Sequence, residues 1–144
     1  MRIESFLPYR LAVVAEALSR QLGAVYGGEH GLTREEWRLL FLIEDASRID
    51  SLQLAGRTSL DKVQVSRAAS RLEDKGLILR RIPAEDRRLR EYTITETGQA
   101  LFRNVFGAVE AKAGTIFMAM PAEDRDALEK GIGALHRAIA QIEG

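Results

Sequence analysis

The residues best equipped for chemistry lie between Arg57 and Glu91. Lys62, Gln64, Arg67, Ser70 and Arg71 fall on the outer faces of a segment whose other stripe is Val65, Ala68, Ala69 and Leu72. That outward set carries donors suited to nucleic acid: Gln can bond adenine bidentately, Arg guanine, and Ser either. Immediately downstream, Arg80, Arg81, Arg87, Arg88 and Arg90 crowd one short stretch. An arginine at the tip of such a ribbon can enter the minor groove, where negative potential is strong and readout is largely A·T against G·C. Asp86, beside two arginines, is out of place on a surface meant for a polyanion. Its expected task is internal, pairing an arginine or a backbone donor to fix the loop.

Other chemistries have weaker footing. Ser59-Leu60-Asp61-Lys62 matches the S-x-x-K pattern of serine acyl-transfer enzymes, but its companion motifs are missing. The two histidines, His30 and His136, lack ligand spacing. Gly131-Ile132-Gly133 is an isolated pair inside a helical pattern, expected as a close-packing spot and not a phosphate loop. Glu35-Glu36 and Glu123-Asp124 sit at helix starts, where the macrodipole favours acids. No catalytic residues, metal or cofactor are therefore expected.

Composition agrees. The 144 residues hold no cysteine, which excludes disulfides and thiolate sites and suits a reducing compartment. Net charge is zero, yet Arg57–Glu91 holds ten Lys/Arg against six Asp/Glu, while the remainder holds eleven against fifteen. A basic middle between acidic ends is what a reader of phosphates needs if one region meets them. No apolar run approaches the roughly 18 residues of a membrane span. The N-terminus lacks the layout of a secretory signal, so a cytoplasmic location is expected.

The elements that must position these residues follow from periodicity. Leu7, Leu11, Val14, Leu18, Leu22 and Val25 recur at steps of three and four, predicting a helix from about Phe6 to Tyr26, stopped by Gly27-Gly28 and Gly31. Thr33 to Glu36 reads as a capping box opening a second helix that buries Trp37, Leu40 and Phe41 and ends near Ala46-Ser47. Asp50 or Ser51 caps a short third helix to about Arg57, with Leu52 and Ala55 expected inward. After the tight connection Thr58-Ser59-Leu60, a fourth helix spans about 61–75 and stops at Gly76. The pattern then turns extended: Leu77 to Ile82 and Leu89 to Thr95 predict a hairpin with its tip at about 83–88. Two further helices follow, one containing Gly98, Leu101, Val105, Val109 and Ile116. The other comes after Pro121, with Leu128, Ile132, Leu135, Ile139 and Ile142 on one stripe. The expected fold is mainly α with a small β-hairpin wing. Both chain ends carry apolar stripes that a small central unit could not cover, predicting that they pack against a second copy.

Leu72-Glu73-Asp74-Lys75-Gly76-Leu77-Ile78, then Asp86-Arg87-Arg88, then Ile94-Thr95 and Gly98, resemble the MarR family of bacterial and archaeal regulators; from Asp86 to Gly98 the chain fits D-x-R-x5-[LI]-T-x-x-G without a gap. The likeness spans nearly the whole chain, including Leu32-Thr33 and Met120-Pro121. One departure is Thr58-Ser59 at the turn, where the family often has an apolar residue and Gly. The resemblance implies a single 1–144 domain with a winged helix-turn-helix DNA-binding lobe at about 32–97 and dimerisation helices at about 1–30 and 98–144. It also implies a homodimer that binds a palindromic operator on double-stranded DNA, usually represses, and is released by a small ligand. Carried over by position, Lys62, Val63, Gln64, Ser66 and Arg67 would face bases, and Thr58, Ser59 and Arg71 phosphates. Arg88 would enter the minor groove with Arg87 as a second candidate, and Asp86 would brace the wing.

A small anionic aromatic effector is a further expected partner, with Phe6, Tyr9, Arg10, Trp37, Arg38 and Phe41 lining its cleft and an arginine facing its charge. The competing function classes are a winged-helix protein-interaction module that does not bind DNA, and a small helical enzyme depending on Ser59 or the histidines.

Overall fold

The computed structural model describes residues 2–144. In chain order it comprises a 3-10 turn (Ile3–Ser5), α1 (Leu7–Gly28), α2 (Arg34–Ala46), β1 (Arg48–Asp50), α3 (Ser51–Thr58), α4 (Lys62–Asp74), β2 (Ile78–Arg81), β3 (Glu91–Ile94), α5 (Glu96–Met118) and α6 (Ala122–Glu143). The chain divides into two compact units, one running to Val109 and the other Glu110–Gly144. Among the described residues, no helix is long and apolar enough to cross a membrane.

Three helices of the first unit start on reciprocal capping boxes. Thr33 pairs with Glu36, Asp50 with Gln53, and Asp61 with Gln64; in each, the cap side chain accepts from the third helical N–H and that residue's side chain accepts from the cap N–H. Two orphan donors per helix are thereby satisfied locally, which fixes where each helix begins. Gly76, at φ +75°, ends the segment carrying α4 in the left-handed conformation that glycine adopts without steric cost. Leu39, Leu40 and Ile43 of α2, Leu54 of α3, and Val65, Ala68 and Leu72 of α4 form the centre of the core with Ile78 and Val105. Alanines at 68 and 69 let α4 lie close against its neighbours, as their spacing predicts.

Three sequence expectations for the first unit need correction. Phe41, expected buried with Trp37 and Leu40, is 38% exposed. Leu52 is not inward but 63% exposed, and Leu54 takes the buried place, because α3 begins at Ser51 and its inner face falls two residues later. The wing is not a lone hairpin: β1 pairs antiparallel with β3, giving a three-stranded sheet of order β1-β3-β2, with Ile49 opposite Tyr92 and Arg80 opposite Tyr92 on the other edge. A strand of three residues is too short to show alternation, so nothing in the sequence announced it.

The Ile94-Thr95-x-x-Gly98 motif has a physical basis. The Thr95 hydroxyl donates to the Gly76 carbonyl at 2.7 Å and accepts from the Gly98 N–H at 2.9 Å, while Thr95 N–H donates to the Leu77 carbonyl. A Cβ at Gly98 would stand 2.1 Å from that same Leu77 carbonyl oxygen. Only glycine lets the first turn of α5 seat against the β2 entry.

Within the second unit, the Arg125 guanidinium donates to the carbonyls of Phe117 and Met120, closing the turn that leads to α6. Pro121 is the N-cap of α6 and lies one residue outside the helix. No residue of α6 is buried, and Ile132, Leu135, Ile139 and Ile142 all stand exposed. Of the glycine pair expected at a close-packing spot, a Cβ at Gly131 would meet nothing within 4 Å, whereas one at Gly133 would stand 3.3 Å from Nη1 of Arg137.

Candidate nucleic-acid interface

The turn between α3 and α4 is built from inside. Thr58 donates its hydroxyl to the Leu54 carbonyl at 2.7 Å and accepts from the Leu60 N–H, and only 5% of the residue is exposed. Its expected phosphate contact is therefore corrected: the hydroxyl is spent shaping the turn. Ser59 follows at φ 62°, ψ 18°, the left-handed geometry for which a glycine would be the cheaper choice, and it remains exposed. Thr58-Ser59 thus makes the same kind of turn through an internal hydroxyl latch.

From this turn α4 presents Lys62, Val63, Gln64, Ser66, Arg67, Ser70 and Arg71, all exposed, opposite its buried stripe. Lys62 and Arg67 have no ion pair among the described residues. Gln64 is less free than its type suggests. Its side-chain oxygen accepts from the Asp61 N–H at 3.1 Å. A bidentate grip on adenine would need that oxygen as acceptor, so with the cap closed Gln64 offers chiefly its amide donors. Arg71 directs Nε to the buried Glu36 carboxylate at 3.5 Å.

The wing arginines sort into two groups. On the stem, Arg80 pairs with Glu73 at 3.5 Å and Arg81 with Glu91 at 2.6 Å, so much of the charge counted in the sequence is neutralised there. Arg90 donates to the carbonyls of Arg87 and Leu89 and holds the loop. At the tip, Asp86 accepts from the Arg88 backbone N–H and from Nε and Nη2 of the same residue, at 3.0, 3.0 and 3.1 Å. Those hydrogen bonds from Arg88 hold the Asp86 carboxyl below its usual range. The same pairing raises the Arg88 guanidinium further into its charged form. Among the described residues Arg87 has no ion pair and is exposed.

What seats the wing beside α4 is a contact that residue types alone did not reveal. Ser51 N–H donates to the Arg90 carbonyl at 2.8 Å, and Arg90 N–H donates to the Ser51 hydroxyl at 3.2 Å. This reciprocal pair ties the start of α3 to the returning strand, 39 residues away. A recess of about 430 Å³ results, with Lys62 of α4 on one side, Asp86 and Arg88 of the wing on the other, and Ser51, Leu52 and Leu89 between.

The residues expected at an effector cleft do not all meet. Trp37, Arg38 and Phe41 line a cavity of about 330 Å³ together with Leu42, Arg57, Thr58 and Ser59. Phe6, Tyr9 and Arg10 are exposed and do not line it. Arg38 reaches the Thr58 carbonyl at 3.5 Å, and Arg57 pairs with Asp45 at 3.7 Å. Trp37 stacks between Tyr26 and Phe102, each ring centroid 5.6 Å away, which accounts for its burial.

A family model described as MarR family matches residues 32–89. The homoprotocatechuate degradative operon repressor of Escherichia coli is 30% identical over 81 residues, which cover 56% of this chain and 55% of the repressor. The fold is shared with a mutant MarR from E. coli complexed with operator DNA, at 20% identity and a TM-score of 0.81 over 94% of this chain and 98% of that one. NadR in complex with 4-hydroxyphenylacetate is similar at 23% identity and a TM-score of 0.72, over 87% and 88%.

Proposed function

We propose that this chain, whose residues 32–89 belong to the MarR family, is a transcriptional regulator that binds double-stranded DNA sequence-specifically as a homodimer. The observation that carries the reading is the recess shared by Lys62 and Arg88. A helix with an exposed donor face and a braced arginine line one cleft, the pairing that a major-groove reader with an adjacent minor-groove contact requires. In this reading Lys62, Val63, Gln64, Ser66 and Arg67 face bases, Ser59, Ser70 and Arg71 meet the backbone, and Arg88 with Arg87 enters the minor groove. The lobe is about 32–97, in a single domain whose terminal helices, about 1–30 and 98–144, form the dimer. The exposed apolar stripes of α1 and α6 support that assignment. It acts in the cytoplasm, without catalysis, on a palindromic operator whose half-sites lie about 10 bp apart on one face of the duplex.

Regulation by a small anionic aromatic compound, with repression as the default, rests on the two relatives whose names carry a repressor role and a bound aromatic carboxylate. The cavity behind the turn has aromatic walls and two arginines, the composition such a ligand requires. The test is a titration of duplexes that the protein itself selects from a random pool. Arg67→Ala and Arg88→Ala should each weaken binding by about 1–3 kcal/mol, and log affinity should fall steeply with log salt. Failure of the parent protein to retain any duplex in dilute buffer would overturn the reading.

A further inference from the structure

Among the described residues of the first unit, Glu36 is the one buried acidic residue, at 1% exposure, and the capping of α2 accounts for only part of its bonding. One carboxylate oxygen accepts from the Thr33 N–H, completing the cap, and forms an ion pair with Nε of Arg71 at 3.5 Å. The other accepts from Nζ of Lys75, which donates as well to the Gly31 carbonyl at 3.1 Å. Both cations belong to the C-terminal end of the reading helix, one turn apart. A helix start needs a capping oxygen; it does not need two cations from another element.

We propose that Glu36 is a positioning residue for DNA binding, which anchors the Arg71 guanidinium by Nε and leaves its two terminal nitrogens to meet a phosphate. The inference rests on the reading of α4 given above and deepens it. Arg71 is long, and its side chain is 45% exposed. Unheld, it would lose several rotatable bonds' worth of freedom on gripping a phosphate, a cost of about two- to tenfold in affinity for one side chain. Anchoring at Nε meets that cost during folding. The fork geometry of guanidinium permits this division of labour, since Nε and the two Nη atoms donate in different directions of one plane. Lys75 has a separate task. Its ammonium, shared between Glu36 and Gly31, fixes the end of α4 against the α1–α2 loop. Burial by itself would push the Glu36 carboxyl up, but the hydrogen bonds from Lys75 and the Thr33 N–H outweigh it and keep the group charged.

The alternative, that Glu36 only holds the fold, makes an opposite prediction. Removing a negative charge near a polyanion strengthens binding to any duplex. Loss of anchoring weakens binding and does so through Arg71 alone. The experiment is a double-mutant cycle of Glu36→Gln and Arg71→Ala, titrated against a duplex selected from a random pool by the parent protein, with thermal melts of each variant. Glutamine keeps the capping oxygen. Expected are a three- to tenfold loss for Glu36→Gln on the selected duplex, a similar loss on unrelated duplex because phosphates carry no sequence, and an Arg71→Ala effect that shrinks once Glu36 is gone. Unchanged or tighter binding by Glu36→Gln, or strict additivity of the two, overturns the proposal. Arg71→Lys covers the case in which Glu36→Gln does not fold: its ammonium keeps the charge but lacks the fixed fork that lets one group face Glu36 and a phosphate from different sides, so it should bind more weakly than the parent though less weakly than Arg71→Ala, and parent-like binding by it overturns the proposal too. Were the parent itself to bind no duplex, the DNA-binding reading would fail first, which is a different result from additivity in a parent that binds.

Discussion

The lobe bearing α4 and the helix α6 are stabilised on opposite terms. In the first unit, Leu39, Leu40, Ile43, Leu54, Ala68, Leu72 and Val105 are wholly or almost wholly withdrawn from solvent, and three helices begin on reciprocal caps. In α6, 22 residues long, none is buried and no side chain caps the start. Isolated helices are marginal in water, because their stability comes mainly from packing of an apolar face. The lobe therefore holds the information for its own fold. The stripe Ile132-Leu135-Ile139-Ile142 is apolar and exposed.

The comparison breaks most visibly at Gly98. Gly98→Ala pushes a methyl into the Leu77 carbonyl, and chemical denaturation should show a loss of about 3 kcal/mol or more. An unchanged midpoint would mean that the α5 start is not held as described. Next, Leu54→Ala should cost about 2–5 kcal/mol at any protein concentration. Leu135→Ala should cost under about 1 kcal/mol in dilute monomer and progressively more as concentration rises, if its stripe is a dimer surface. Equal, concentration-independent losses for the two would erase the contrast. Asp50→Ala and Asp61→Ala should each remove about 1 kcal/mol by loss of a cap. The second should also shift base preference, by releasing the Gln64 side-chain oxygen.

The smallest expected effect is on acid stability. The Glu36 carboxyl is held below its ordinary value of 4.5, so its contribution is complete above that pH and is lost as pH falls through the folded value. Thermal melts through the acid range should show the parent losing stability below about pH 4.5, with a shallower decline in Glu36→Gln. Identical pH profiles would show that the carboxylate contributes nothing differential. Asp86 is also held low, but it lies at the exposed wing tip, and its protonation should loosen the wing more than the fold.

Much of the lobe was legible because its signals are local. The Thr33–Glu36 box, the Asp61 start, the Gly76 stop and the alternation around Tyr92 each act within a few residues, so they could be read in order along the chain. The errors share a cause as well. Leu52 and Leu54 are both apolar, and which one faces inward depended on a helix start one residue away. Thr58 carries a hydroxyl that suits a phosphate, and only the packing of α3 turned it towards Leu54. The five wing arginines looked equivalent until Glu73 and Glu91 neutralised two of them. β1 left no periodic trace at all. Half of the expected effector set came together, because Trp37, Arg38 and Phe41 share α2, whereas Phe6, Tyr9 and Arg10 belong to another helix's outer surface.

By itself, the sequence determined the helix boundaries, the donor face of α4 and the arginine-bearing tip, because caps, apolar periodicity and left-handed turns are energies set between near neighbours. Tertiary structure alone decided which of those charges remain available. The Ser51–Arg90 tie, the Glu36–Arg71–Lys75 cluster and the pairing of Arg81 with Glu91 join residues that are remote or of unremarkable type, and a charge is spent or free only once its distance to an opposite one has been set by the fold.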